Sequence, residues 1–341
     1  ATGQSPTPLN EEKLKEDDEQ EEETLDDDFA NPIPEENFTS IPIIDLSQPP
    51  NVYAQQIGDA CRNVGFFYII NHGVEQEVID GALDVSKKFF ALDLRSKLEV
   101  SNCNNDEEKK SGYRGYFEIG GEDLDNKDGT RDLVAEEGGL SKDNTSKRGD
   151  HKEGFDCGNE DSFFGRNIWP DEINNPSITG FRKTLMKYQD ALIVLSDKLL
   201  LALGQSLGTD IVAEDYFLQQ SRNPMCTLRM LHYPATDDDL SKSQGCGAHT
   251  DYGLFTILQQ DSIGGLQIRN QNKHWINATP LKGSFVINCG DMLSHWTGGE
   301  YSSTVHRVVS PSTSGDRYSV PFFFNPDANA VVKPLKSVSS D

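Results

Sequence analysis

After about residue 224 the sequence breaks into short apolar runs separated by turn residues, and this texture limits the fold more than any other feature. The runs cover 226–233, 253–260, 265–269, 284–289, 304–309 and 317–325. Each is strand-sized and too short for a helix of ordinary length. Short strands at this spacing imply a β-sandwich or barrel, because a sheet of such strands must bury one face against another layer.

The front half reads differently. Ile41-Pro42-Ile43-Ile44-Asp45-Leu46 is a short apolar run with a proline, which suits an edge strand. Val52 to Val64 has helical apolar spacing, and Gly65 to Ile70 is a buried strand stopped by Asn71-His72-Gly73. Val78 to Leu92 predicts a second helix. Ile178 to Leu207 predicts a long amphipathic one through Leu185, Leu192, Leu195, Leu199 and Leu203. Residues 121–161, rich in Gly, Asp, Glu, Asn and Lys without periodicity, are expected to form a long surface loop. The expected class is therefore α+β to mainly β, with helices packed outside a β core.

Charge is uneven. The 341 residues carry a formal net charge of −25, and Glu11 to Asp28 alone holds twelve acids against two lysines. Such a run cannot bury enough apolar surface to offset chain entropy, so residues 1–37 are expected to be a disordered tail. We divide the rest into a helical region at 38–222, a β core at 223–327 and a terminal segment at 328–341, with 38–341 as one structural unit. An acidic chain repels phosphate backbones, which speaks against nucleic-acid binding. No run approaches the roughly 18 apolar residues of a membrane span, and no signal-peptide core is present. The sequence begins at Ala1 rather than Met, which leaves room for a removed targeting segment. Six cysteines at irregular spacing, with no CxxC pair, suit reduced thiols. A monomeric cytoplasmic protein is expected.

Seven histidines are present. A lone histidine is ordinarily a surface or satisfied core residue, so His72, His151, His232 and His274 need no special role, and His295 is left open. His249 and Asp251 differ, because His-Thr-Asp leads into an apolar strand. In extended chain, residues two apart share a side and lie roughly 7 Å apart, so both can converge on one ion. His306 sits downstream in the β-branched stretch Ser303 to Val309. Two imidazoles and a carboxylate cover one face of an octahedral metal and leave three positions open, as Fe(II) oxygen chemistry requires. A structural zinc site would want four closed ligands, and no cysteine is placed for that.

Eleven residues after His306, beyond a turn-rich segment, comes Arg317-Tyr318-Ser319. If the two strands pair as a hairpin, Arg317 and Ser319 lie on one face beside His306. A guanidinium with a hydroxyl can clamp a carboxylate in a fixed place near the metal. The strand Thr227 to Tyr233 puts Arg229, Leu231 and Tyr233 on one face. A guanidinium facing a low-dielectric interior needs a partner, which is either an internal Asp or Glu or a carboxylate on the substrate.

With these motifs in order, the chain resembles the isopenicillin N synthase-like branch of the Fe(II)/2-oxoglutarate oxygenases, which includes many hydroxylases of plant and fungal specialised metabolism. The likeness runs over roughly residues 40–327 through IPIIDL, GFFYIINHGV, GYRGYF, DHKEGFD, NIWP, LRMLHYP, GAHTDYGLFTILQQD, GGLQI, NCGDML, STVHRVV and RYSVPFFFNP. The resemblance implies a double-stranded β-helix, or jelly roll. It implies Fe(II) on His249, Asp251 and His306, and the distal carboxylate of 2-oxoglutarate on Arg317 and Ser319 with help from Tyr233. It implies O2-dependent oxidation of a small metabolite by hydroxylation, ring closure or desaturation, with release of succinate and CO2. If the substrate rather than an internal acid supplies the partner of Arg229, then Arg229, with Arg114 of the Gly-Tyr-Arg-Gly-Tyr segment, holds a substrate carboxylate while Leu231 and Phe324 line its apolar part.

The chain departs from the family pattern in places. Leu231 stands where many relatives carry Asn, and the stretch around 122–149 is longer and more charged than usual. Most relatives also continue past the Asn325-Pro326 motif into a helix that partly covers the pocket. Two other readings stay open: oxidation with O2 but without 2-oxoglutarate, and a non-catalytic binding module on the same fold.

Overall fold

The computed structural model describes residues 37–102, 114–124, 149–160, 165–235, 244–310 and 315–335. The acidic tail, Cys103 and most of the charged insertion lie outside these residues.

Among the described residues, twelve strands form two sheets. The larger sheet holds β1 (Ile43–Asp45), β2 (Phe66–Ile70), β3 (Gly115–Phe117), β4 (Glu153–Gly158), β5 (Pro224–Tyr233), β7 (Phe255–Gln260), β10 (Phe285–Cys289) and β12 (Arg317–Asp327). The smaller holds β6 (Gln244–His249), β8 (Leu266–Arg269), β9 (Trp275–Asn277) and β11 (His306–Val309). Their orders are β1-β2-β10-β7-β12-β5-β4-β3 and β6-β11-β8-β9. The proline-bearing first strand lies at an edge, where Pro42 gives up no ladder hydrogen bond and its carbonyl accepts from Tyr68 N at 2.8 Å.

Period-two alternation assigns the two faces of the large sheet. Phe67 and Ile69 of β2, Leu228 and Met230 of β5, Ile287 of β10 and Phe322 of β12 pack in the main core with the helices. That helical layer includes α1 (Pro50–Asn63), α2 (Gln76–Phe90) and the long Phe181–Leu207 helix. The alternate residues, among them Phe66, Tyr68, Leu231, Tyr233 and Val286, turn to the other face and meet Cys246, Leu266, Ile268 and Val308 of the small sheet. The space between the sheets is the interior of the jelly roll. Gly65 makes the tight join from α1 into β2: its φ is +72°, and a Cβ there would sit 2.3 Å from Ser302 O. Only glycine tolerates both conditions.

Two expectations need correction. The stretch 121–161 is not all surface loop, because β4 lies buried along its whole length between β3 and β5. Its sequence, Glu-Gly-Phe-Asp-Cys-Gly, lacks an apolar pattern because its acids are buried in pairs. Glu153 accepts from Lys97 Nζ at 2.7 Å and Tyr116 OH at 2.6 Å, and lies 2.7 Å from His232 Nδ1. Second, β11 and β12 do not form a hairpin. β11 pairs with β6 and β8, whereas β12 pairs with β5 and β7 in the opposite sheet. Arg317 and Ser319 therefore face His306 across the cavity rather than beside it.

Candidate active site

A cavity of about 70 Å³, open to solvent, lies between the sheets. His249 and His306 are direct partners in the β6–β11 ladder, so the strand register brings the two imidazoles together. Asp251 follows two residues beyond β6. Its Oδ1 lies 3.6 Å from His249 Nε2 and 3.7 Å from His306 Nε2. Metal–ligand bonds of about 2.1 Å set neighbouring donors roughly 3 Å apart, so this cluster needs only a small contraction to close on an ion. Thr250 points away and donates to Asp291 Oδ2 at 3.0 Å.

The surrounding groups prepare each donor atom. His249 Nδ1 donates to Gly247 O at 2.7 Å, and His306 Nδ1 to Thr304 O at 3.1 Å, which leaves both Nε2 lone pairs facing Asp251. Thr256 Oγ1 and Asn288 Nδ2 both donate to Asp251 Oδ2, leaving Oδ1 toward the imidazoles. Burial, reinforced by the neighbouring His249, pushes His306 down to about 4, so it stays neutral with a free lone pair. Burial by itself favours protonated Asp251, but positive charge on the two imidazoles whenever they take a proton, together with the Asn288 and Thr256 hydrogen bonds, outweighs it and holds the carboxyl below its usual range. These three are the one such metal-competent cluster among the described residues.

Opposite the triad, Arg317 is 1% exposed. Its Nη1 donates to Ser319 Oγ at 3.1 Å, its guanidinium carbon lies 4.7 Å from the centre of the Tyr233 ring, and its Nε is buried without a hydrogen-bond partner. No carboxylate of the described residues pairs with it. Burial pushes the Tyr233 phenol up to about 12, so its hydroxyl keeps the proton and can donate. A buried cation in this condition is costly until an anion meets it.

Arg229 and Leu231 line the same cavity, but Arg229 is already paired. Its Nε and Nη2 clasp Asp156 at 2.7 Å each, and its Nη1 reaches both oxygens of Glu122 at 3.0 and 3.1 Å. Internal carboxylates therefore neutralise it. Beside it, Lys152 is 1% exposed and donates to Asp150 at 2.9 Å and to Cys246 Sγ at 3.2 Å, with Glu122 at 3.3 Å.

Two substrate assignments are corrected. Arg114 does not reach the cavity. It is fully buried and bolts β4 to β5, donating to Cys157 O and Thr227 Oγ1 at 2.9 Å and to Cys226 O at 3.0 Å. Each acceptor left unsatisfied costs about 1–3 kcal/mol. Arg114→Met should therefore lower the unfolding midpoint in a denaturant titration while leaving 2-oxoglutarate affinity unchanged.

Phe324 also points away. It stacks on Phe255 at 4.9 Å in the helical-side core, and its neighbour Phe323 lines the cavity instead. Arg317, Ser319, Pro321 and Phe323 share one face of β12, so Phe324 is out of phase with its own motif. Phe324→Ala should cost about 3–5 kcal/mol of stability, with a smaller loss for cavity-lining Phe323→Ala, as denaturant midpoints will show.

Four contributors had no local sequence signal: Thr256 and Asn288 behind Asp251, and Glu122 and Asp156 behind Arg229. Asn288, Glu122 and Asp156 act on residues distant in the chain or across a ladder, and Thr256 reaches back five residues from the next strand. His295 is exposed on the short helix Asp291–Trp296, outside the cavity.

Comparison with known proteins agrees with this geometry. Residues 224–326 match the model of the 2OG-Fe(II) oxygenase superfamily, and residues 41–172 that of the N-terminal region of non-haem dioxygenases in morphine synthesis. A probable iron/ascorbate oxidoreductase of Dictyostelium discoideum is 34% identical, over 89% of this chain and 86% of its own. The chain belongs to the 2-oxoglutarate–Fe(II) oxygenase superfamily. A homoarginine-6-hydroxylase of Oryza sativa subsp. japonica is 33% identical over 88% of this chain and 90% of that protein. Among solved structures, full-length Neurospora crassa T7H in complex with alpha-KG and thymine superposes with a TM-score of 0.73 at 29% identity, covering 88% of this chain and 90% of that one.

The protein is thus an oxidoreductase with a double-stranded β-helix core that uses Fe(II), 2-oxoglutarate and O2 to oxidise a small substrate. No helix among the described residues is long and apolar enough to cross a membrane.

Proposed function

We propose that His249, Asp251 and His306 hold the Fe(II), and that Arg317, Ser319 and Tyr233 hold the distal carboxylate of 2-oxoglutarate. The observation that carries this reading is the buried Arg317 guanidinium without a counter-ion, facing the triad across one cavity. A dicarboxylate spanning that cavity satisfies the cation at one end and reaches the metal ligands at the other. Bound Fe(II) supplies the centre at which O2 is reduced while 2-oxoglutarate becomes succinate and CO2 and the substrate is oxidised.

The chain's own residues perform three tasks. Gly247 and Thr304 carbonyls fix the imidazole tautomers, and Thr256 and Asn288 fix the carboxylate rotamer. Arg317 and Ser319 set the register of the co-substrate. Phe66, Leu231, Leu258, Leu266, Val308 and Phe323 keep water from the reacting C–H bond.

The substrate in this reading is a small molecule rather than a nucleic acid, since a net charge of −25 opposes phosphate backbones. The five described cysteines are free and buried, which supports a reducing compartment such as the cytosol.

The test is a screen of small metabolites for substrate-dependent succinate formation, with mass spectrometry of the product. Calorimetry should also show 2-oxoglutarate binding that requires a divalent metal. Metal-independent binding, or none, would sink the assignment.

A further inference from the structure

The cavity contains two arginines in opposite electrostatic conditions, and the contrast bears on the substrate. Arg317 lacks a counter-ion among the described residues, whereas Arg229 has two. A guanidinium has five N–H donors. Asp156 takes the Nε donor and one on Nη2, and Glu122 takes those on Nη1, leaving one N–H on Nη2. Lys152, the other basic residue of this wall, has its three donors engaged by Asp150, Glu122 and Cys246. These two cations, with buried Arg114 beside Asp156 as a third, are thus set among three carboxylates, Glu122, Asp150 and Asp156.

A further anion placed here would meet cations whose charge the carboxylates already match, and could take only one hydrogen bond unless it displaced a bidentate partner. An added cation would meet Arg229 and Lys152, which line the cavity, before the carboxylates behind them. A neutral acceptor avoids both penalties and can use the remaining N–H. Leu124, Leu231 and Pro321 add apolar lining, and Phe117 and Phe323 flank the guanidinium at 5.0 and 5.8 Å, with Phe323 on the cavity surface. A flat ring fits against that face.

We infer that the substrate is an uncharged, largely apolar molecule, planar near its polar end, whose carbonyl-type oxygen accepts from Arg229. The anion-binding role in this cavity then belongs to Arg317 alone. This rests on the reading above, in which Arg317 takes the co-substrate.

Benzamide, benzoate and benzamidine share one ring and differ in charge, which makes them suitable probes. Their affinities for the Zn(II)- and 2-oxoglutarate-loaded protein can be ranked by saturation-transfer NMR. Benzamide should bind at least about tenfold tighter than either charged analogue, a difference set by desolvating an unmatched charge. Arg229→Met should weaken benzamide binding at least about tenfold and, by leaving Asp156 and Glu122 unpaired, shift the ranking toward benzamidine. Glu122→Gln, at a less buried position, should narrow the gap between benzamide and benzoate by releasing part of the guanidinium. Tighter binding of benzoate or benzamidine than of benzamide overturns the inference, and so does a protein that takes up 2-oxoglutarate but none of the three. Failure to bind 2-oxoglutarate itself overturns the underlying site assignment and the inference with it.

Discussion

Arg317→Met should raise the KM for 2-oxoglutarate at least about tenfold and, in the same protein, make the ligand-free fold more stable. The first effect follows from losing a charge-assisted contact in a buried setting, about 2–5 kcal/mol where each 1.4 kcal/mol is a factor of ten. The second follows from the 1% exposure of Arg317 and its unpartnered Nε. Without an anion the folded state carries a desolvated cation, and methionine of similar length removes that cost. Thermal unfolding with and without saturating 2-oxoglutarate and Mn(II) reads both effects. The variant should start at a higher midpoint and lose the ligand-induced rise. Arg229→Met should behave in the opposite sense, because it strips the partner from Asp156 and Glu122 and leaves buried carboxylates unpaired. An unchanged KM in Arg317→Met would mean that the co-substrate carboxylate is held elsewhere.

The sequence carried local information well and long-range pairing poorly. Period-two alternation in β5 placed Arg229, Leu231 and Tyr233 on one face because strand geometry enforces it within seven residues. The same rule applied from Arg317 along β12 selects Phe323, and Phe324 lies one residue out of that phase. The hairpin reading of β11 and β12 relied on consecutive strands usually being neighbours. In a jelly roll the chain passes between sheets at that point, which no feature of the Ser-Pro-Ser-Thr-Ser-Gly-Asp segment announces. β4 was illegible for another reason: its buried positions are Glu153 and Asp156 as well as Phe155, and burial of paired charges leaves no hydrophobic period to read. Glu122 and Arg229 lie 107 residues apart, so that Arg229 needed an internal partner could be argued, but not which residue supplies it.

Asp251→Ala should abolish turnover and weaken divalent-metal binding by more than the 10–100-fold typical of losing an outer-shell partner. Asp251 supplies the sole anionic donor between two neutral imidazoles, and its Oδ1 is the atom both Nε2 atoms approach. Without it, His249 and His306 remain held by the Gly247 and Thr304 carbonyls but offer only two neutral donors. The fold should persist, since the large sheet and its helical layer pack without the metal. The truncation does orphan the Thr256 hydroxyl and the Asn288 amide, at about 1–3 kcal/mol each, so some stability is lost. Thr256→Val separates the two effects. It removes one supporting hydrogen bond while keeping the ligand, so metal affinity should fall within the 10–100-fold range and turnover should return at high Fe(II). Equilibrium dialysis of Fe(II) under anaerobic conditions, paired with succinate assays across metal concentrations, distinguishes a ligand from its support. Full activity in Asp251→Ala with iron still bound would refute the triad.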